Sequence, residues 1–249
     1  MSLYVVTHKN VSKQFPKNYF TIVVNANGND IKGDYYDNIG DNISDKNFSY
    51  CELTAFYWIW KNLSTDKIVG IDHYRRFFMF HNSLLTEDKA LRLLESNENR
   101  IILPKRDHFK RRMDFRYIST SGYKKDLKVL RDVIASLYPD YEETYIKFMH
   151  QYDMHSYNMF VANKKQFDNY CKWLFDILFE VERRITPSSD ERKGYYKRVF
   201  GFMAERLLNV YVIHNKMEII ELPIKYTGTY PNGKERVKTR INKFKDKYM

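Results

Sequence analysis

The stretch Ile68-Val69-Gly70-Ile71-Asp72-His73-Tyr74-Arg75-Arg76-Phe77-Phe78 decides how this chain is read. Its first four residues are apolar and mostly β-branched, which predicts a short buried strand emptying into a polar loop over Asp72–Arg76. The same pattern recurs upstream. Leu3–Thr7 and Tyr19–Asn25 read as strands, the second bounded by Asn25-Ala26-Asn27-Gly28. The polar stretch 28–45 reads as a loop, and Asn42 or Ser44 is a candidate N-cap for the next helix. Over Phe48–Asn62, Tyr50, Leu53, Phe56, Tyr57 and Trp60 recur at helical spacing.

Downstream come a helix at Glu87–Ser96, a strand at Arg100–Leu103 and a basic loop holding Lys110, Arg111, Arg112 and Arg116. Helices are predicted at Tyr123–Leu137, Glu142–Gln151, Lys165–Arg184 and Val199–Ile213, with strands at Tyr157–Val161 and Glu218–Leu222. Strands alternating with helices predict an α/β fold, a mostly parallel central sheet flanked by helices. One domain over residues 1–224 accounts for this pattern. From 225 to 249 the apolar periodicity stops, and Lys234, Arg236, Lys238, Arg240, Lys243, Lys245 and Lys247 face only Glu235 and Asp246.

Composition narrows the function. With 249 residues and 43% hydrophobic content, the chain can bury a sizeable core, which excludes wholesale disorder. No window approaches the roughly 18 apolar residues of a spanning helix. The N-terminal run Met1–His8 reads as a strand, not as a secretory leader. Cys51 and Cys171 lie in apolar helical patterns and form neither a disulfide framework nor a zinc site, which fits a reducing cytoplasm. The net charge of +11 favours an anionic partner: nucleic acid, an anionic membrane or a phosphorylated ligand.

Ligands of open α/β sheets bind beyond the carboxyl ends of the strands. That rule selects Thr7, His8 and Lys9, then Asp72–Arg76, Lys105–Asp107 and Asp153–Asn158. Arg75 and Arg76 can hold a diphosphate through forked, charge-assisted hydrogen bonds. Asp72 can hold a metal or simply pair with an arginine. Asp153 and His155, spaced Asp-x-His, suit a divalent cation or sugar hydroxyls, and Asn158 lies just beyond them. Asn42–Asn47, with Lys46, reads as a phosphate-binding helix start or as an ordinary capped helix. Glu205 beside Arg206 is either a structural pair or a catalytic carboxylate. No Walker A loop, GxGxxG fingerprint or Ser-His-Asp order is present, so P-loop kinase, dinucleotide-dependent dehydrogenase and hydrolase readings lose support.

Several of these segments together resemble one bacterial family. They are Tyr4-Val5-Val6-Thr7-His8-Lys9, Asp41-Asn42-Ile43-Ser44-Asp45-Lys46-Asn47, and Cys51-Glu52-Leu53-Thr54-Ala55-Phe56-Tyr57-Trp58-Ile59-Trp60-Lys61-Asn62. Gly70–Phe78, Asn158-Met159-Phe160-Val161 and Glu205-Arg206-Leu207 extend the likeness, which covers about residues 3–224. The family is a domain-of-unknown-function group of glycosyltransferases from capsular, exopolysaccharide and lipopolysaccharide loci.

The resemblance implies a GT-A-like nucleotide-sugar transferase, with some members linked to galactofuranose transfer. Asp72-His73-Tyr74 takes the place of the family fold's Asp-x-Asp metal motif and lacks its second carboxylate. Manganese or magnesium dependence therefore stays open, with Asp72 or the Asp153/His155 pair as the only ligands suggested. Arg75 and Arg76 are candidate substitutes for the cation.

The expected reaction moves a sugar, galactose or galactofuranose, from a UDP-sugar to a growing, lipid-linked glycan. Asp72, Arg75, Arg76 and Glu205 are the expected catalytic groups, with Asp153 and Asp190 as further candidates for the base. Thr7, His8, Lys9, Asn42, Ser44, Lys46, Asn47, His73, Tyr74 and Lys105 are expected on the donor nucleotide, and Asp153, His155 and Asn158 on the acceptor. Glu52 and Arg206 match the family's motifs without an assigned role. The basic tail is expected to hold the enzyme at the inner leaflet of the cytoplasmic membrane, and a homodimer would fit the many aromatic residues. Two competing classes are a non-catalytic nucleic-acid binder, suggested by interleaved cations and aromatics, and a structural capsule-assembly protein.

Overall fold

The computed structural model describes residues 2–11, 15–27, 30–189, 192–228 and 242. The chain opens with β1 (Ser2–Thr7), β2 (Tyr19–Val23), β3 (Tyr35–Tyr36), a short α1 (Asn47–Tyr50) and α2 (Leu53–Asn62). A hairpin comes next, β4 (Ile68–His73) and β5 (Arg76–Phe80), edged by β6 (Ser83–Leu84). Then come α3 (Glu87–Leu94), β7 (Arg100–Pro104), β8 (Asp107–His108), α4 (Met113–Thr120), α5 (Lys124–Leu137) and α6 (Glu142–Met149). The chain continues through β9 (Asp153–Met154), β10 (Val161–Asn163), α7 (Lys164–Ser189), α8 (Val199–His214), β11 (Glu218–Leu222) and β12 (Ile224–Tyr226).

The main sheet runs β11-β7-β10-β4-β1-β2-β3. The pairings β4-β1, β1-β2, β2-β3 and β11-β7 are parallel, whereas β10 is antiparallel to both neighbours. This is the mostly parallel sheet that the alternation of elements predicts. The chain winds outward from β1 through β2 and β3, then returns to place β4 on the other side of β1. Strand order therefore reverses between β1 and β4, where connections diverge and leave a crevice.

Alternation along β1 builds both cores. Tyr4 and Val6 join a large cluster with α2, α5, α7 and α8 on one face, while Leu3 and Val5 join Phe77, Phe78 and α3 residues on the other. Burial on both sides explains why these strands are apolar runs rather than alternating ones. Gly70 sits where the layers are tightest: a Cβ there would collide with Leu3 Cδ2 and press on Val161. Among the described residues no helix is long and apolar enough to cross a membrane.

Four local expectations need correction. The predicted helix over 48–62 is two helices, broken at Cys51, whose φ of 55° and ψ of −126° no helix accommodates. Its carbonyl instead accepts from Asn47 Nδ2 (2.7 Å), which also donates to Thr54 Oγ1 (3.0 Å), and that hydroxyl in turn donates to the buried Asp37 (2.6 Å). The strand expected at Tyr157–Val161 begins only at Val161, because Tyr157 (φ 83°) and Asn158 (φ 51°) turn the chain through left-handed conformations. The basic loop after Lys110 becomes α4 from Met113 onward. Finally, β4 runs on through Asp72 and His73, so only Tyr74 and Arg75 form the turn.

At the other end of the domain, β12 pairs with β5 and carries the sheet to Tyr226, past the predicted boundary at 224. The seven basic tail positions from Lys234 to Lys247, and Asp190, lie outside the described residues.

Candidate active site

A cleft of about 700 Å3 opens where β1, β2 and β4 end, at the switch point. His8 succeeds β1, Val24 and Asn25 succeed β2, and His73 through Arg76 form the tip of the β4–β5 hairpin. Asn47 and Phe48 enter from α1, Cys51 and Glu52 from the helix break, and Arg198 from the tight turn that leads into α8.

Three guanidinium groups converge on this space. Arg75 lies over the Tyr74 ring at 4.5 Å and donates to its hydroxyl. Arg76 lies over the Tyr157 ring at 4.4 Å and near that of Tyr226 at 5.4 Å. Arg198 Nε donates to Cys51 Sγ (3.1 Å), and one terminal nitrogen stands 4.0 Å from the Glu52 carboxylate. Tyr157 and Tyr226 thus fix Arg76 by stacking, Tyr157 also accepting a hydrogen bond from it, and the left-handed turn at Tyr157 is what delivers that ring. Among the described lining residues Glu52 is the one carboxylate, so the cleft has excess positive charge. Both histidine rings are held below the ordinary imidazole range, by burial first and by the neighbouring cations besides. Burial holds the His73 imidazole down to about 4, and Arg76 and Arg198 add to the effect against Glu52. Burial, then Lys9, Arg75 and Arg198, lowers His8, which meets Tyr74 edge-on at 4.8 Å.

Behind Glu52 the polar network continues inward. Asn158 Nδ2 donates to Glu52 (2.7 Å) and to the Gly201 carbonyl (3.0 Å). Glu205, on α8, pairs with the buried Arg206 at 3.0 Å and takes a backbone hydrogen bond from Tyr157. Burial pushes the Glu205 carboxyl up; Arg206 opposes this and the neighbouring Glu52 charge adds to it. A carboxylate raised in this way is a better proton acceptor near neutral pH.

Of the residues singled out in the sequence, His8, Asn47, Glu52, His73, Tyr74, Arg75 and Arg76 line the cleft, and Asn158 and Glu205 adjoin Glu52 from behind it. Others have different work. Asp72 pairs in register with Val5 and shares its face of the sheet, away from the cleft. Its carboxylate accepts the Phe78 N–H (3.0 Å) and lies near the Tyr19 hydroxyl, which donates to the Leu85 carbonyl (2.7 Å). Thr7 closes a turn onto Lys9, whose side chain is exposed outside the lining. Asn42 bonds Gly40 and Ser44, Ser44 bonds Asp37, and Lys46 pairs with Glu182 at 2.7 Å on α7. The expected phosphate site at Asn42–Asn47 is therefore an ordinary structural turn, apart from Asn47.

Lys105 is exposed at the end of β7. Asp153 pairs with His108 at 2.8 Å, and His155 Nδ1 bonds the Pro104 carbonyl (2.7 Å); both line a separate pocket of about 190 Å3. These positions do not fit the metal that GT-A folds commonly carry. Asp72 faces the wrong core, and among the described residues no group of three or more His, Cys, Asp or Glu gathers to hold an ion.

Arg198, Cys51, Phe48 and Asn25 were not singled out from the sequence. Arg198 did leave a trace there: Lys197-Arg198 precede an apolar helix, and cations are unfavourable at a helix N-terminus. A charge pair in that position needs another reason to exist.

The sheet order and the cleft at its reversal define a GT-A-like α/β domain. In agreement, the chain superimposes on the apo structure of WbbM, a bifunctional glycosyltransferase, with a TM-score of 0.80 and 29% identity, covering 92% of this chain. It spans 45% of that protein, less than half its length. A search of curated proteins gives no match. The model of a family described as a domain of unknown function, DUF4422, matches residues 2–216, and the chain belongs to that family.

Proposed function

We propose that this protein is a glycosyltransferase that uses a nucleoside-diphosphate sugar and transfers the sugar to a hydroxyl of a glycan acceptor. The observation that carries the reading is the convergence of Arg75, Arg76 and Arg198 on a cleft at the sheet's switch point. Together they match a diphosphate in charge and in forked geometry. As the bond from the anomeric carbon to the diphosphate oxygen breaks, the guanidinium groups stabilise the charge arriving on the leaving group. The acceptor oxygen bonds the anomeric carbon, and its proton passes to Glu205, which adjoins Glu52 at the back of the cleft and keeps its side chain 24% exposed. Phe48, 63% exposed on α1 at the cleft, offers a face on which the base can stack.

On this reading the leaving-group chemistry runs through guanidinium groups, which the engagement of Asp72 by the Phe78 N–H supports. UDP as the nucleotide, galactose or galactofuranose as the sugar, and a surface polysaccharide as the acceptor rest on the family resemblance. The likeness to WbbM supports glycosyl transfer in general.

A thermal-shift panel of nucleoside diphosphates and UDP-sugars, with and without manganese or EDTA, tests the reading. A ligand at 100 times its Kd adds about 2.7 kcal/mol of stability. UDP is expected to stabilise and UMP to do so less, with EDTA making no difference. Indifference to every diphosphate, with salt-sensitive oligonucleotide binding instead, would overturn it in favour of a nucleic-acid binder.

A further inference from the structure

The region around β8, β9 and the start of α4 carries a second concentration of positive charge, and none of its residues lines the arginine cleft. Between Lys105 and Arg116 lie six cations, Lys105, Arg106, Lys110, Arg111, Arg112 and Arg116, against two carboxylates, Asp107 and Asp114. Both carboxylates are engaged: Asp107 accepts from Ser156 (2.6 Å) and Asp114 from Arg112 (2.7 Å). Lys110 and Arg111 are exposed and have no ion-pair partner among the described residues.

Two large aromatic side chains stand out of the same surface. Phe115 is 56% exposed and Tyr152 45%. Backbone bonds from Phe109 N–H to Tyr152 O (2.8 Å) and from Met113 N–H to Gln151 O (2.9 Å) tie the two segments into one patch. Within it Arg112 sits 4.9 Å from the Phe115 ring and His108 stacks on Tyr152 at 6.4 Å.

We propose that this patch docks the domain on an anionic lipid surface, with Phe115 and Tyr152 entering the headgroup region and Lys110 and Arg111 facing lipid phosphates and carboxylates. Exposed rings flanked by cations with no ion-pair partner among the described residues are what an interfacial anchor requires, because the rings gain by leaving water while the cations gain from the surface potential. A nucleic acid would satisfy the cations. However, neither ring lines the arginine cleft or the pocket beside His155, where a base could be held. The inference concerns Lys110, Arg111, Phe115 and Tyr152, none of which lines the cleft, and does not depend on the transferase reading.

The test is co-sedimentation of the full chain with phosphatidylcholine vesicles, plain or containing phosphatidylserine. Binding is expected only with the anionic lipid. Each cation removed should weaken it about fivefold, so K110Q/R111Q should lose about 30-fold. F115S should lose about tenfold with its melting temperature and UDP response unchanged. K243Q/K245Q/K247Q in the tail separates the tail's contribution from the patch's. Patch variants that bind as well as the parent would overturn the proposal. So would a parent chain that ignores vesicles but binds oligonucleotides through Lys110 and Arg111.

Discussion

Replacing Arg198 with alanine separates catalysis from folding more cleanly than any other change in the cleft. Its side chain is 47% exposed, its nearest carboxylate oxygen is 4.0 Å away, and its hydrogen bond goes to a thiol. An exposed, loosely formed pair of this kind contributes about 0–1 kcal/mol, so R198A should melt within a few degrees of the parent. Catalysis stands to lose far more. A preorganised donor aimed at developing charge accounts for about 2.7–4 kcal/mol, or about 10²–10³ in kcat. UDP affinity should fall with it while UMP affinity changes little, because in the proposed complex the lost fork would meet the second phosphate. Lysine at 198 would restore charge without the planar fork, so R198K should recover only part of the loss. Calorimetric titration with UDP and UMP, beside a UDP-release assay over a panel of UDP-sugars, reads all three quantities. A folded R198A that binds UDP and turns over like the parent would refute the leaving-group role.

Glu205→Gln should lower turnover by about 10²–10⁴ with UDP affinity intact, and the parent's rate should rise with pH through a point above the usual carboxylate range; a variant with parental turnover removes Glu205 as the base. His73 gives a stability signature of definite sign. Its folded value of about 4 lies below the ordinary 6.5, so the neutral ring's contribution is complete above 6.5 and is lost as pH falls from there through about 4. That separation amounts to ~3 kcal/mol, and melts between pH 7 and 4 should fall less steeply for H73N than for the parent; equal slopes would contradict it. Away from the cleft, Asp126 accepts from Arg192 (2.6 and 3.1 Å), Tyr117 (3.2 Å) and the Tyr123 N–H (2.8 Å) in full burial. D126A should cost about 3–5 kcal/mol in denaturant unfolding by stranding the guanidinium, and adding R192M should return much of it.

The hairpin tip shows how far local sequence reaches. Arg75 and Arg76 are recognisable because they come after a strand and strand ends bind ligands. Asp72, only three residues earlier, looked equally promising. Side-chain direction alternates along a strand, so one residue of register decides which core a side chain meets. Extending β4 through His73 sends Asp72 to the Phe78 side and His73 to the cleft. Lys46 and Ser44 misled for a related reason: a helix start looks alike whether its polar groups meet phosphate or, as here, Glu182 and Asp37.

By itself the sequence determined the alternation of strands and helices, the single basic α/β domain and the motifs of its family, because buried runs and helical spacing are properties of neighbours in the chain. Only the tertiary structure decided that Arg198 joins Arg75 and Arg76, that Glu52 stands beside Asn158, and that Asp72 does not take part. Those relations link residues up to 147 positions apart, as between Cys51 and Arg198. They are fixed by strand register and the kink at Cys51, which no local pattern encodes.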